Sequence, residues 1–243
     1  SDRDYRGWWP YHGYHPIDHY RIEEHFGDIG DLRELIAGAH SRGMHILLDM
    51  VLNHVAYDHP WVVDSELWEN QGYKHWFHPH SGRDASTSIR DWQDQHELET
   101  KELNGLPDFD QDNPNVYNFL LDMSKFWITE TNCDGFRIDA VKHIPKSFWT
   151  KYNKDIRDFA GQDFLLLGEV FEGSTEYVAG YRELGFTALF DIPMYYTLNR
   201  VFAQGAPINL LSEQIAVNKA QYLNCLLYTS DAADEEDSVD LGG

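Results

Sequence analysis

Short apolar runs alternate with helix-forming stretches along most of the chain, and this alternation limits the possible fold more than any other feature. Residues 46–52 are apolar except for Asp49, and residues 164–167 are wholly apolar. Such runs are typical of strands that are covered on both faces. Two more strands are predicted over about 133–141 and 186–192. Because helices separate these strands, the pattern predicts a parallel α/β sheet, either a barrel or an open doubly wound sheet.

Helix signals lie between the predicted strands. Apolar residues recur at helical spacing over about 31–41, and Asn113 followed by Pro114 supplies the N-cap and first position of a long helix. Further helices are predicted from Pro145 and over about 208–222. No glycine-rich dinucleotide or phosphate-binding motif follows a predicted strand. Four strands are too few to close an eight-stranded barrel.

The composition excludes several classes of partner. The 243 residues include 19 Lys and Arg against 41 Asp and Glu, which gives a formal charge of −22. Such an acidic chain is unsuited to nucleic acid and to anionic lipid, so we expect no nucleic-acid partner and no membrane docking. No run of about twenty apolar residues suits a membrane span. The oligomeric state is left open, and the N-terminal residues do not indicate a compartment.

Two segments depart from the alternation. Residues 55–105 are rich in His, Trp and acidic residues, and a connection of that length is typical of a functional loop or a small subdomain. Residues 225–243 are acidic and contain no Lys or Arg, and we interpret them as a disordered tail that is foreign to the rest of the chain. Residues 1–54 and 106–224 then form the sheet domain.

Three charged residues lie near the ends of two neighbouring predicted strands. Arg137 and Asp139 are two residues apart, so they point to the same face about 6–7 Å apart, and the Arg keeps the carboxylate ionised as a nucleophile requires. Glu169 follows the next apolar run, where desolvation favours a protonated acid. Two carboxyl groups in contrasting environments are what retaining glycoside hydrolysis requires. Alternatively, Arg137 and Asp139 form a buried ion pair that holds the core together.

Polar residues at a third strand end favour the catalytic interpretation. Asp49, Asn53 and His54 lie in or just after the predicted strand over residues 46–52. The carboxyl ends of the strands form the catalytic face of a parallel barrel. We therefore expect these residues to join Asp139 at one face.

Five motifs, taken together and in order, resemble the α-amylase family of glycoside hydrolases. They are His12-Gly13-Tyr14 with Asp18-His19-Tyr20, Asp49-Met50-Val51-Leu52-Asn53-His54, Leu106-Pro107-Asp108-Phe109-Asp110, Gly135-Phe136-Arg137-Ile138-Asp139-Ala140-Val141-Lys142-His143 and Gly168-Glu169-Val170-Phe171. The resemblance covers about residues 5–222. It implies a partial (β/α)8 TIM barrel that contains the family's third to sixth strands, with its B domain inserted after the third strand as residues 55–105.

The resemblance implies a role for each matching residue of the reaction centre. Asp139 would be the nucleophile that forms a covalent glycosyl-enzyme, and Glu169 would be the general acid and then the base. Arg137 would orient Asp139. These three residues are the predicted catalytic set.

The resemblance also implies a set of substrate-binding residues. Tyr14 would stack on the sugar that bears the scissile bond, His54 would hydrogen-bond to that sugar, and Asp49 would join the same network. Lys142 and His143 would line the site of the leaving sugar. The alternatives are that Tyr14 only packs on the 55–105 segment and that Lys142 and His143 are solvated loop residues.

A calcium ion is the cofactor that the resemblance implies. Asn53, Asp108 and the backbone carbonyl of His143 match the family's ligands, and calcium prefers oxygen ligands. The alternative is that Asn53 caps its own loop. A zinc site formed by the histidines at positions 75, 78 and 80 was also considered, but their spacing fits no familiar ligand pattern, and an aromatic-rich loop is the preferred interpretation.

The chain departs from the family in one respect. Family members carry a His-Asp pair on the seventh strand that stabilises the transition state, whereas no histidine follows His143 here. We therefore expect this chain to be a fragment of the catalytic barrel with little or no activity of its own. We also expect it to be poorly soluble, because unclosed parallel strands leave unpaired edges.

The function implied by the resemblance is retaining hydrolysis of α-1,4-glucosidic bonds in starch-like glucans or maltooligosaccharides. A transglycosylase or isomerase of the same family would use the same carboxyl groups. A non-catalytic carbohydrate-binding relative is a further alternative, although the presence of both Asp139 and Glu169 argues against it. A polymeric substrate would favour secretion or the periplasm.

Overall fold

The computed structural model describes residues 12–81, 86–222 and 226–228. In these ranges the helices are α1 (Ile29–His40), α2 (Pro60–Val63), α3 (Gln95–Thr100), α4 (Pro114–Thr131), α5 (Lys146–Ala160), α6 (Thr175–Ala179), α7 (Ile192–Leu198) and α8 (Asn209–Gln221). The strands are β1 (Leu47–Met50), β2 (Gly135–Ile138), β3 (Leu165–Gly168), β4 (Ala188–Phe190) and β5 (Leu226–Tyr228). Short 3₁₀ turns occupy Glu24–Phe26, Tyr73–Trp76, Leu103–Gly105, Val141–His143 and Arg182–Leu184, and π turns occupy Glu66–Asn70 and Asn199–Ala203.

The strands form one parallel sheet in chain order, from β1 to β5. Parallel neighbours need a crossover connection, and helices supply it between successive strands. The predicted parallel α/β sheet is therefore confirmed. Asp49 on β1 lies directly opposite Arg137 on β2, while Asp139 and Glu169 follow the carboxyl ends of β2 and β3. The polar residues of the sequence motifs thus lie at one edge of the sheet.

Strand β2 is buried along its whole length, and its close packing depends on a glycine. A Cβ atom at Gly135 would lie 2.4 Å from the carbonyl oxygen of Leu165 on β3, so a larger residue would push the two strands apart. Phe136 and Ile138 on the opposite face from Arg137 are fully buried in the core. This packing fixes the strand from which the Arg137 side chain projects.

Helices α4 and α5 contact each other and cover the sheet. The Asn113 side chain accepts a hydrogen bond from the Asn115 backbone N–H at 2.9 Å and so caps α4, as the Asn-Pro pair predicted. The helix ends at Asn132, which adopts the left-handed conformation with φ of 55°. The largest fully buried side chains are Trp149, Tyr152, Tyr181, Phe109 and Phe136.

Strand β2 is shorter than the predicted range of 133–141. After Ile138, Ala140 adopts a left-handed conformation with φ of 52°, and a 3₁₀ turn follows over Val141–His143. The backbone N–H of Val141 donates to the Glu169 carbonyl oxygen at 2.9 Å, which holds the turn against the end of β3. Alanine carries no sequence signal for this conformation, so the apolar pattern overestimated the strand.

The prediction of disorder from residue 225 onward is wrong for residues 226–228. These residues form β5, which pairs with β4 in parallel register. The apolar stretch Leu226-Leu227-Tyr228 precedes the acidic residues and supplies the strand. Residue 225 and residues 229–243 of that predicted tail lie outside the described residues, as do residues 1–11 and 82–85.

Residues 55–105 connect to the end of β1 through backbone contacts. The Val55 N–H donates to the Pro107 carbonyl oxygen at 3.0 Å, and antiparallel bridges join His54 to Asp108 and Phe77 to Phe109. These contacts bring the Leu-Pro-Asp motif beside the end of β1, although the two are more than fifty residues apart in sequence. Within the described ranges, no helix combines the length and apolar character needed to cross a lipid bilayer.

Candidate active site

One guanidinium group contacts three carboxyl groups at the carboxyl edge of the sheet. Nη1 of Arg137 lies 3.0 Å from Asp49 Oδ1 and 2.8 Å from Asp139 Oδ1, and Nη2 lies 2.8 Å from Glu169 Oε1. The side chains of Arg137, Asp139 and Glu169 are almost completely buried, whereas 45% of the Asp49 side chain is exposed. The structure thus brings together the three predicted catalytic residues, and Asp49 is the member of the group that is most exposed to solvent.

Burial and the neighbouring charges shift the pKa values of the two inner carboxyl groups, which are those of Asp139 and Glu169. Burial raises the pKa of Glu169 to about 7, the charge of Asp139 acts in the same direction, and Arg137 opposes both. Burial also raises the pKa of Asp139, again against the effect of Arg137. For Arg137 itself, burial opposes ionisation, but Glu169, Asp49 and Asp139 raise its pKa above the ordinary value, so it stays charged.

The carboxyl groups of Asp139 and Glu169 are held near each other, because each contacts the same Arg137 guanidinium at 2.8 Å. The interaction between them lowers the pKa of Asp139 and raises the pKa of Glu169, so the proton is favoured on Glu169 over Asp139. The arrangement supplies a charged oxygen nucleophile beside a neutral oxygen acid.

A strained backbone residue holds the acid in place. The Ala140 N–H donates to Glu169 Oε2 at 3.2 Å, and this residue has the left-handed conformation that costs a non-glycine residue about 1–2 kcal/mol. The neighbouring N–H of Val141 binds the Glu169 carbonyl oxygen. Both ends of Glu169 are therefore fixed by the turn that follows Asp139.

Aromatic rings flank the guanidinium on two sides. Tyr14 donates its hydroxyl hydrogen to Asp49 Oδ2 at 2.9 Å, and its ring centroid lies 5.3 Å from Arg137 Cζ. Phe190, at the end of β4, lies 5.8 Å from the same atom. The sequence interpretation identified Tyr14 but missed Phe190; an aromatic residue at a strand's carboxyl end was the available signal.

His54 contacts both Tyr14 and Asn53. Only 2% of this residue is exposed, its Nε2–H donates to the Tyr14 carbonyl oxygen at 3.0 Å, and its Nδ1 lies 3.3 Å from Asn53 Nδ2. Both ring nitrogens are therefore engaged by the protein, and burial lowers the pKa of His54 to about 4, which keeps it neutral. His54 thus holds the backbone of Tyr14, and its predicted hydrogen bond to the sugar stays a prediction.

Lys142 and His143 lie in the 3₁₀ turn and pack against the 55–105 segment. They are 7% and 4% exposed, so the alternative that they are solvated loop residues is wrong. Lys142 Nζ lies 3.5 Å from Glu172 Oε2 and 5.8 Å from the ring centroid of Trp92, and Nδ1 of His143 donates to the Leu98 carbonyl oxygen at 3.2 Å. Glu172 and Trp92 were missed, because their contacts join segments that are distant in sequence.

The candidate calcium ligands include two buried oxygen atoms without a hydrogen-bond partner. Asn53 Oδ1 and Asp108 Oδ1 are both such atoms, and the Phe109 N–H donates to the Asn53 carbonyl oxygen at 2.9 Å, which holds the two residues side by side. Burial raises the pKa of Asp108 to about 7, although its Oδ2 contacts His78 Nδ1 at 2.7 Å. Two buried acceptor oxygens, one from a carboxyl group, fit the chemistry of a calcium site.

The histidines at positions 75, 78 and 80 are not arranged as metal ligands. His78 contacts Asp108, and His80 contacts the buried carboxyl group of Glu102. Across the described residues, no group of three His, Cys, Asp or Glu side chains has the arrangement of a metal site. The two histidines instead serve as partners of buried acids in the 55–105 segment and beside it.

Comparisons with known proteins agree with this arrangement of residues. Residues 3–228 match the family model described as "Alpha amylase, catalytic domain". The alpha-amylase of Geobacillus thermoleovorans, solved in complex with acarbose, is 41% identical with a TM-score of 0.78 over 87% of this chain and 45% of its own. An alpha-amylase of Anoxybacillus is 40% identical with a TM-score of 0.81 over 90% of this chain and 46% of its own.

One relative is named for a transfer reaction instead of for hydrolysis. The cyclomaltodextrin glucanotransferase of Klebsiella oxytoca is 34% identical over 217 residues, which cover 79% of this chain and 32% of that protein. The chain thus spans less than half the length of each of these three relatives.

Proposed function

The chain belongs to the α-amylase family, and from that premise we propose that it carries the reaction centre of a retaining glycoside hydrolase that cleaves α-1,4-glucosidic bonds in starch-like glucans or maltooligosaccharides. The observation that carries the proposal is the contact of Arg137 with both Asp139 and Glu169 at 2.8 Å. It supports the action of an ionised carboxylate and a protonated carboxyl group on the same bond.

The first step uses both carboxyl groups at once. A carboxylate oxygen of Asp139 attacks the anomeric carbon, the bond from that carbon to the leaving oxygen breaks, and Glu169 transfers its proton to that oxygen. In the second step Glu169, now ionised, removes a proton from water, and the water oxygen displaces Asp139. The raised pKa of Glu169 suits both halves of this cycle, because it lies near neutrality.

The surrounding residues orient these two groups and the sugar. Arg137 stabilises the Asp139 carboxylate. Its contact with Glu169 also holds the acid close to the same guanidinium group. Tyr14 offers a ring face for the sugar, while its hydroxyl group fixes Asp49 as a further hydrogen-bond acceptor for sugar hydroxyls. His54 acts through Tyr14, because it binds that residue's carbonyl oxygen.

We propose that the parallel sheet is part of a (β/α)8 barrel and that residues 55–105 are the domain inserted after its third strand. The match to the catalytic-domain model and the backbone contacts of Val55 with Pro107 support this assignment. We also propose that the 243-residue chain alone has little or no glycosidase activity, since it spans less than half of its similar relatives. A starch-like substrate would favour secretion of the protein or its location in the periplasm.

We further propose that calcium binds where Asn53 and Asp108 meet, with the His143 carbonyl oxygen as a third ligand. The two buried acceptor oxygens without partners support this site. A bound cation would stabilise the junction between the end of β1 and the Leu-Pro-Asp motif. No chemical step depends on it.

A transglycosylase is the second candidate function, and the Klebsiella oxytoca glucanotransferase at 34% identity is the observation that favours it. The same glycosyl-enzyme would form, and a sugar hydroxyl would replace water in the second step. The products that the full-length protein releases from maltoheptaose separate the two functions. Shorter linear sugars alone indicate hydrolysis, whereas longer or cyclic products indicate transfer.

Trapping of the glycosyl-enzyme tests the shared mechanism. The full-length protein is treated with 5-fluoro-α-maltosyl fluoride, and the labelled peptide is identified by mass spectrometry. We expect one label on Asp139, absent in Asp139→Asn and in protein protected by excess maltoheptaose. The Glu169→Gln variant should still accept the label, because fluoride leaves without a proton. A label on another carboxylate, or turnover of maltoheptaose by Asp139→Asn, would contradict the proposal.

A further inference from the structure

The 55–105 segment contacts the turn that carries Lys142 and His143 at three points. Gln95 Nε2, at the start of α3, donates to the Lys142 carbonyl oxygen at 3.3 Å. The Leu98 carbonyl oxygen accepts a hydrogen bond from His143 Nδ1 at 3.2 Å. The Trp92 ring meets the His143 ring edge to face, with centroids 6.0 Å apart. These contacts leave the turn little freedom relative to α3.

The Gln95 amide uses both of its ends in contacts between different elements. Its oxygen accepts the hydroxyl hydrogen of Tyr177 on α6, and its nitrogen donates to Glu99 at 2.6 Å as well as to Lys142. Because acceptor and donor are both engaged, the amide has one preferred orientation. Gln95 thereby joins α3, the turn after β2 and the helix after β3 at one point.

The Lys142 side chain extends from this turn to Glu172, three residues after Glu169 in sequence. Its ammonium lies 5.8 Å from the Trp92 ring centroid and 3.5 Å from Glu172 Oε2. A lysine stem is flexible, so a fixed backbone and a flanking ring are needed to keep the ammonium in one place. Trp92 and Gln95 supply the ring and the backbone contact.

We propose that Gln95 and Trp92 are positioning residues that hold Lys142 beside the sugar released in the first step. Through these two residues, the 55–105 segment sets the preference for substrates with a sugar leaving group. This rests on the proposed glycosidase function. An ammonium group donates hydrogen bonds to sugar hydroxyls, so the ligand class is a glucose unit on the leaving side of the bond. Neither residue touches the reacting atoms.

Two substrates separate this role from a general structural one. Maltoheptaose releases a sugar, whereas α-maltosyl fluoride releases fluoride and leaves the Lys142 side of the site unfilled. For Gln95→Met in the full-length protein, we expect kcat/KM for maltoheptaose to fall about tenfold, which corresponds to about 1.4 kcal/mol, mainly through KM. The value for the fluoride should change less than twofold. Trp92→Ala should behave in the same way, and Trp92→Phe should recover most of the loss.

Gln93→Met is the matched control, because Gln93 is an exposed glutamine two residues earlier. It should leave both substrates unchanged. Equal losses for both substrates in Gln95→Met would reduce Gln95 to a merely structural residue, and no loss for either would overturn the inference. Failure of the wild-type protein to turn over both substrates would instead refute the proposed function.

An NMR measurement tests the positioning without activity. With selectively labelled lysine, the Lys142 signal is assigned from Lys142→Arg and followed in each variant. We expect it to shift and broaden in Gln95→Met and in Trp92→Ala but not in Gln93→Met. An unchanged Lys142 signal in both Gln95→Met and Trp92→Ala would overturn the proposal whatever the kinetics show.

Discussion

The guanidinium of Arg137 contacts Glu169 as closely as it contacts Asp139, with both nitrogen–oxygen distances at 2.8 Å. The motif resemblance assigned Arg137 only to the orientation of Asp139. The second contact means that Arg137 also limits how far burial can raise the pKa of the acid. One side chain therefore sets the charge state of both carboxyl groups in the proposed double displacement.

Replacing Arg137 with lysine should impair both groups. A single ammonium on a flexible stem cannot span two carboxyls as a planar guanidinium does, and breaking a buried ion pair costs about 3–5 kcal/mol. We expect kcat/KM of the full-length protein for maltoheptaose to fall by about 100-fold or more. Arg42→Lys is the control and should retain activity, because Arg42 is exposed and donates to the Gly38 carbonyl oxygen and to Ser41 Oγ at the end of α1. Retention of wild-type kcat/KM by Arg137→Lys would show that the bridge is not needed.

The pH dependence of the reaction should follow the proton on Glu169. The acid donates a proton, and burial raises its pKa to about 7, so the competent fraction falls as pH rises through about 7. The rate for maltoheptaose should therefore have an alkaline limb near that pH. With α-maltosyl fluoride, whose leaving group needs no proton, that limb should be absent from the first step, which burst measurements isolate. An alkaline limb of the same size for both substrates would assign it to another group.

The sequence patterns predicted the sheet well because a strand that is buried on both faces has an uninterrupted run of apolar residues, as in residues 164–167. The same logic located Asp139 and Glu169 at strand ends. The sequence patterns did not predict side-chain contacts between segments that are distant in sequence. The engagement of His54 by Tyr14 crosses forty residues, and Gln95 meets Tyr177 across eighty-two, so neither has a local signal.

Substituting Gly135 with alanine should destabilise the sheet. The added Cβ would lie 2.4 Å from a backbone oxygen and 2.6 Å from the Cβ of Leu165, and neither atom can move without separating β2 from β3. We expect a loss of about 3 kcal/mol or more, measured as the free energy of unfolding in denaturant. Gly38→Ala in α1 is the matched control, because its Cβ meets only an arginine side chain at 3.5 Å and a helix favours alanine by about 0.5–1 kcal/mol. Equal stability of the two variants would refute the proposed close approach.

Calcium should stabilise the protein through Asp108. A cation that binds only the folded state adds about 2.7 kcal/mol at one hundred times its dissociation constant, so the Tm of the full-length protein should rise by several degrees on adding calcium and fall on chelation. Asp108→Asn should abolish most of the rise, since it removes the charge beside the buried acceptor oxygen of Asn53. Asp110→Asn, a more exposed acid two residues later, should retain it. If Asp108→Asn keeps the full calcium-dependent shift while Asp110→Asn loses it, the cation lies elsewhere and the two buried oxygens need another explanation.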